Sequence, residues 1–292
     1  MSNSRFAVRH RRGIPWLPIV LFSFSGAAAA QSYTTVDCPG SLFTQAHGIN
    51  DRGEIVGNCD DASGGHGFVL WRGAFTLIDA PNATLTRSLG VNNAGDVVGR
   101  YEDADGTSHG FVLRHGKFQT IDPPGSTFTS VKGIDDLGRV AGFFDDADGA
   151  SHGFLLEKGV YTILDVPHAN GTAANGINDL RHVVGLYFDA SDAGRGFLTK
   201  GNGRTVTIDF PGAESTEAAG INVLGQIVGD WDDATSEHGF LMTARGFESF
   251  DFPGAPDTTP FGLNDVGQIV GGYLGTDGLI HGFLRTFGWD GR

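Results

Sequence analysis

The apolar residues of this chain fall in short runs cut by glycine, asparagine and aspartate, and no long stretch carries the 3.6-residue spacing of an amphipathic helix. The runs recur in step. A His-Gly-Phe tripeptide starts at His66, His109, His152, His238 and His281 on a 43-residue period, and Arg195 replaces the histidine at the fourth turn. Its phenylalanine is present every time, at Phe68, Phe111, Phe154, Phe197, Phe240 and Phe283. A fixed period of this length marks a repeat architecture. Gly-Ile-Asn or a close variant opens each copy at Gly48, Gly90, Gly133, Gly176, Gly220 and Gly262, with a threonine four residues earlier at Thr44, Thr86, Thr129, Thr172, Thr216 and Thr258. A glycine follows two apolar residues at Gly57, Gly99, Gly142, Gly185, Gly229 and Gly271, and Asp-x-Pro starts at Asp37, Asp79, Asp122, Asp165, Asp209 and Asp251.

Each copy reads as four short strands. The first carries Gly-Ile-Asn, and a turn such as Asn50 to Gly53 leads to an apolar second strand, as at Ile55–Cys59 or Val97–Tyr101. An acidic, glycine-rich loop precedes the third strand, His109–Leu113 in copy two. A turn ending in glycine starts the fourth, Lys117–Asp122, and the proline after the aspartate stops it. Four strands in about 43 residues match a β-propeller blade. Tyr33–Pro39 looks like a fourth strand without its first three, and copy six stops after its third strand near Arg285. The expected fold is therefore all-β, a six-bladed β-propeller over residues 31–285 in which the N-terminal strand completes the last blade, with 286–292 as a tail. A linear β-solenoid of the same period is the rival; it gives no reason for the missing strand to stand at the other end of the chain.

The first 30 residues break this pattern. Arg5, Arg9, Arg11 and Arg12 precede an apolar stretch, Ile14–Ser25, too short to span a bilayer, and Ala28 to Ala30 suits cleavage before Gln31. This predicts a signal peptide over 1–30 and a secreted or periplasmic protein with no transmembrane segment. With the four leader arginines removed from 20 basic residues, 34 acidic residues face 16 basic ones, which makes nucleic acid a poor partner and leaves cationic ligands and divalent ions open. Two cysteines occur, Cys38 at the end of the N-terminal strand and Cys59 in a slot that is aromatic in the other five copies. Second and fourth strands end on one face of a ring, so a Cys38–Cys59 disulfide is expected, with two buried free thiols as the alternative.

The His-Gly-Phe core, the Gly-Ile-Asn opening and the Asp-x-Pro close resemble the HAF family of bacterial extracellular repeats, over essentially all of residues 33–285. The resemblance implies secretion and a repeating β fold. It brings no activity and no catalytic residues.

The histidines invite a metal reading, but a third strand lies about 15 Å from a ring axis, and donors must approach a transition metal to about 2 Å. Each histidine is expected to hydrogen-bond backbone instead, and the aspartate of Asp-x-Pro to act as an Asx-turn acceptor. Asp103 and Asp105, and Asp146 and Asp148, alternate before a glycine as calcium ligands do, without the full calcium-loop order; calcium is the one cofactor left open. No nucleophile motif or phosphate loop is present. Function should lie where copies differ at the mouth of the ring. The residue before each Gly-Ile-Asn varies (His47, Leu89, Lys132, Asn175, Ala219, Phe261), as does the residue two earlier (Gln45, Arg87, Ser130, Ala173, Glu217, Thr259). Gln45, His47, Arg87, Lys132, Asn175 and Glu217 are the candidate ligand-binding residues, against the alternative of drift in a scaffold. A monomeric binding or interaction module for a glycan, small molecule or protein surface is expected. A hydrolase or lyase at the channel mouth is the alternative, and it would gather titratable groups with shifted pKa values at one spot.

Overall fold

The computed structural model describes residues 31–287, so the expected leader lies outside the described residues. Among them there is no helix and there are 24 strands. After β1 (Gln31–Val36), the chain forms antiparallel units of four. The first is β2 (Phe43–Ile49), β3 (Ile55–Asp61), β4 (Gly64–Trp71) and β5 (Ala74–Ile78). The second is β6 (Leu85–Val91), β7 (Val97–Glu102), β8 (Ser108–Arg114) and β9 (Lys117–Ile121). The third is β10 (Phe128–Ile134), β11 (Val140–Asp145), β12 (Ser151–Glu157) and β13 (Val160–Ile163). The fourth is β14 (Gly171–Ile177), β15 (Val183–Phe188), β16 (Gly194–Thr199) and β17 (Thr205–Ile208). The fifth is β18 (Ser215–Ile221), β19 (Ile227–Asp232), β20 (Glu237–Thr243) and β21 (Gly246–Phe250). The last three strands, β22 (Thr258–Leu263), β23 (Ile269–Leu274) and β24 (Ile280–Phe287), take β1 as their fourth, with Gln31 opposite Phe287 and Val36 opposite Gly282. Thr286 and Phe287, expected in a tail, are therefore strand. First strands pack on one another in the order β2, β6, β10, β14, β18, β22, and β22 packs on β2.

The recurring residues each have a physical task. All six phenylalanines of the tripeptide are fully buried, each contributing about 1.5–3 kcal/mol of transfer energy. Their rings lie against the glycine of the second strand: a Cβ at Gly57 would meet the Phe68 ring at 2.7 Å as well as the Gln45 carbonyl. The threonine accepts the backbone N–H of the residue after the aspartate of Asp-x-Pro, as Thr44 does from Cys38 at 3.2 Å and Thr216 from Phe210 at 3.0 Å. It thereby ties the end of one unit to the start of the next. The exception explains itself: position 123 is a proline without an N–H, and the Thr129 hydroxyl is left without a partner.

The asparagine of Gly-Ile-Asn joins the units. Asn50 Nδ2 donates to the Asn92 carbonyl at 3.0 Å, Asn92 to Asp135 at 3.1 Å, Asn178 to Asn222 at 2.8 Å, Asn222 to Asn264 at 3.2 Å, and Asn264 back to Asn50 at 3.0 Å. The third unit has Asp135, which has no amide to donate. Arg139, 2.5 Å from the Asp135 carboxylate, donates to the Asp179 carbonyl at 2.9 Å in its stead. The Cys38–Cys59 disulfide is formed, at a sequence separation of 21. Closing a loop of that length is worth about 3 kcal/mol, and it fastens the segment after β1 to β3 while β1 itself pairs with β24.

These contacts generate a prediction. Asn222→Asp removes a buried donor, leaves the Asn264 carbonyl without it, and is expected to destabilise the fold by about 1–3 kcal/mol, read as a lower urea midpoint. Adding Gln226→Arg recreates the Asp135–Arg139 arrangement and should recover most of the loss. An unchanged midpoint for Asn222→Asp, or no recovery in the double variant, contradicts the role assigned to this circuit.

Candidate functional site

In every first strand the pairing register shifts at one residue: between Ala46 and Gly48, Ser88 and Gly90, Val131 and Gly133, Ala174 and Gly176, Ala218 and Gly220, and Pro260 and Gly262. The skipped residues are His47, Leu89, Lys132, Asn175, Ala219 and Phe261. A β-bulge frees its extra residue from the ladder and re-aims its side chain. Here all six line one central cavity of about 80 Å³.

The chemistry around this cavity is uneven. His47 stacks on Phe261 with ring centroids 4.3 Å apart. Burial, reinforced by the nearby Lys132 and Arg87 charges, holds the His47 pKa down to about 3, so the ring is neutral. Lys132 makes no hydrogen bond or ion pair among the described residues; its Nζ stands 6.0 Å from the centre of the Phe143 ring. Burial lowers its pKa, and Glu217 and Asp230 pull the other way. Asn175 donates to Glu217 Oε1 at 2.8 Å. Glu217 faces Asp230 across β18 and β19. Burial raises both carboxyls, and Asp230 is pushed well above the usual carboxylate range, with Glu217 and Glu237 adding to the shift. The site can hold a proton on its carboxylate side and offers an unengaged ammonium on the other.

The six residues expected at the mouth do not all meet. His47, Lys132 and Asn175 line the central cavity, and Glu217 joins through Asn175. Arg87 turns to the first unit and forms an ion pair with Asp60. Gln45 lines a separate groove between the fifth and sixth units. Sequence reasoning passed over the residues directly opposite the Gln45 series, namely Asn58, Arg100, Phe143, Leu186, Asp230 and Gly272. They vary as much between copies, which was the available signal.

The histidines of the tripeptide bind carboxylates, not backbone as expected. His152 has Nδ1 2.8 Å from Asp165 and Nε2 3.3 Å from Asp146; His109 has Asp122 at 2.8 Å and Asp103 at 3.3 Å. His66, His238 and His281 repeat the clamp with Asp79, Asp251 and Asp37. The aspartate of Asp-x-Pro is thus a histidine partner, not an isolated turn acceptor. Carboxylates at both ring nitrogens favour the imidazolium, the form that donates from both, and the pKa values of His109 and His152 are raised accordingly. Arg195 confirms the sign, since it bridges Asp189 and Asp209 in the same position. The candidate calcium ligands Asp103 and Asp146 each accept two backbone N–H groups of their own turn besides facing a histidine, while Asp105 and Asp148 are exposed. Among the described residues no three His, Cys, Asp or Glu side chains converge as a metal site.

No family model matches the chain, and no curated protein does. Solved structures of similar shape exist. TolB from Acinetobacter baumannii has a TM-score of 0.58 at 10% identity, covering 80% of this chain and 63% of that one. The chain thus spans less than two thirds of that protein. A mutant of AofleA from Arthrobotrys oligospora has a TM-score of 0.54 at 11% identity, covering 91% and 89%. A mutant Aleuria aurantia lectin in complex with Fucalpha1-6GlcNAc has 0.53 at 12%, covering 88% and 97%. At these identities the likeness concerns the fold alone, and it places the chain among β-propellers.

The clamps set a pH dependence. The histidine pKa values are raised, so their stabilisation is complete below the unfolded value of about 6.5 and is lost as pH rises through the folded value. The loop carboxyls Asp61, Asp103, Asp146, Asp233 and Asp277 are lowered, chiefly by hydrogen bonds from their own turns, and their stabilisation is lost only as pH falls below about 4. The melting temperature should therefore be highest between about pH 4 and 6.5 and decline toward pH 9. Installing the fourth unit's solution with His109→Arg and His152→Arg should flatten the alkaline decline. A decline of equal slope in the double variant contradicts the clamp.

Proposed function

We propose that the chain is a six-bladed β-propeller, each four-stranded unit a blade and β1 the strand that closes the sixth, exported from the cell and working as a binding module whose ligand enters at the central cavity. The return of first-strand packing and of the asparagine circuit to the first unit supports closure. The disulfide supports an oxidising compartment, in agreement with the leader-like residues 1–30 and with the resemblance of the repeat to the HAF family.

One observation carries the binding reading. The residue that each first-strand bulge releases differs between copies, and in three blades it brings a polar group to the centre: His47, Lys132 and Asn175. Leu89 and Ala219 demonstrate that the position accepts apolar side chains. An unengaged Lys132 beside Glu217 and Asp230 weakens the scaffold, because desolvated charges are less stable than packed apolar groups. Such a sacrifice belongs at a site of use. The ligand is a small polar molecule that engages Lys132 on one side and the Glu217 carboxyl on the other. A lectin among the proteins of similar fold puts glycans on the panel to be tested. A second reading, a hydrolase or lyase, draws on Glu217 and Asp230, whose pKa values burial raises in the direction a proton donor needs.

The test is a thermal-shift screen with glycans, small polar metabolites and calcium, followed by the Lys132→Met/Glu217→Gln variant. The variant should melt a few degrees higher, consistent with about 1–4 kcal/mol for replacing buried charges, and should bind the selected ligand at least tenfold more weakly. A ligand bound equally by the variant overturns the central site; turnover of any ligand that the variant loses moves the assignment to an enzyme.

A further inference from the structure

The groove between the fifth and sixth units has a volume of about 580 Å³ and is lined by Glu214, Asp232, Glu237, Asp257, Thr259 and Tyr273. None of these four carboxylates forms an ion pair with a lysine, arginine or histidine among the described residues. Asp257 accepts the Glu237 amide at 3.1 Å and the Thr259 hydroxyl donates to Glu237, so neither bond brings in a positive charge. Recessed beside them, Asp230 adds a further carboxyl that faces Glu217 and has no hydrogen-bonded side-chain partner among the described residues.

The chain contains its own comparison. Asp60 stands opposite Gly65 across β3 and β4, as Asp232 stands opposite Glu237 across β19 and β20. Arg87 holds in β6 the place that Thr259 holds in β22, each opposite the residue after the second-strand glycine. Between the first and second units that place is filled: the Arg87 guanidinium lies on both oxygens of Asp60, with Nη2 3.1 Å from Oδ2. The bare Cα of Gly65 makes the room, since a Cβ there would meet both guanidinium nitrogens at 3.1 Å. Between the fifth and sixth units the arginine is replaced by the short Thr259, the glycine by the acid Glu237, and the space stands as a groove. The carboxylate at the position that takes a guanidinium bidentately in the first unit is retained, and the internal guanidinium is gone.

We propose that the groove between the fifth and sixth units binds a guanidinium group supplied by a ligand, which occupies the place that Arg87 fills between the first and second, with Asp232 and Glu237 as its carboxylate partners and Tyr273 as the aromatic wall. This rests on the proposed binding face, because Gln45 lines the same groove and joins it to the central strands.

The experiment is isothermal titration of the purified protein at low salt with agmatine, with a blocked Gly-Arg-Gly peptide, with putrescine and with calcium chloride. Agmatine or the peptide is expected to bind saturably with one site per chain, at least tenfold tighter than putrescine; which of the two binds tighter tells a free small molecule from an arginine side chain of a polypeptide. Asp232→Asn should weaken binding at least tenfold. The double variant Glu237→Gly/Thr259→Arg rebuilds the Asp60–Gly65–Arg87 arrangement. It should fold, melt at or above the parent's temperature, and lose binding at least thirtyfold. Asp192→Asn, an exposed loop change that removes one negative charge elsewhere, should leave binding unchanged. The proposal is overturned if neither guanidinium probe binds, if the double variant binds as the parent does, if Asp192→Asn weakens binding as much as Asp232→Asn, or if calcium alone saturates the groove. Loss of this site with the Lys132- and Glu217-dependent ligand still bound leaves the central assignment standing, so the two failures are separable.

Discussion

The arrangement of the molecule depends on one side chain used six ways: the amide or carboxylate at the end of each first strand. Asn50 shows the arrangement. Its Oδ1 accepts the N–H groups of Arg52 and Glu54, which fixes the turn into β3, while its Nδ2 donates to the neighbouring unit, which fixes the spacing to β6. Intra-unit and inter-unit geometry are thus set by the same buried group. Buried amides must be satisfied, so each unit is held at a distance at which the next unit's carbonyl is in reach. The residue three positions before that asparagine is then the first that the ladder can leave free, and it is there that every first strand bulges toward the centre.

Much of this was legible in the chain and some of it was not. The 43-residue period gave strand number, and the lone strand before the first copy matched the strand missing from the last. The disulfide followed from where Cys38 and Cys59 interrupt the pattern. The histidine partners were also readable, because His66 and Asp79, His109 and Asp122, His152 and Asp165, and His238 and Asp251 are each 13 residues apart, a hairpin's width across the third and fourth strands. The site was harder. Gln45 and His47 are two residues apart and would share a face in a regular strand. The bulge between Ala46 and Gly48 breaks that rule, so Gln45 faces the groove between units while His47 faces the centre. Nothing in a single sequence marks a bulge that has no glycine at its own position.

Two kinds of charge are built into the same repeat, and they differ in what they do for the fold. The tripeptide cation is clamped between two aspartates and partly exposed, so its charged form is favoured and stabilises the meeting of the acidic loop with the end of the fourth strand. The central charges are desolvated and incompletely matched. Among the described residues Lys132 forms no ion pair, and Glu217 and Asp230 repel one another. An acidic protein can use the first kind at every copy, because it supplies cations to carboxylates that would otherwise repel. The second kind has no such compensation within the scaffold.

That difference separates drift from use. Where the repeat has lost a residue without consequence for binding, the loss is repaired in place: Asp135 cannot donate, and Arg139 donates instead; His is absent at position 195, and arginine bridges the same two carboxylates. Drift in a scaffold leaves such repairs behind, because an unsatisfied buried group is costly. At the centre and in the groove beside the fifth unit the pattern is the reverse. Lys132 stands where Leu89 and Ala219 serve other units, and Glu237 stands where Gly65 serves the first; among the described residues neither meets an opposite charge in an ion pair, and Glu237 takes only the Thr259 hydroxyl. Charge left unanswered at positions facing open space, in a chain that rebuilds the lost contacts at Asp135 and Arg195 in place, is the physical support for the binding role proposed for these groups.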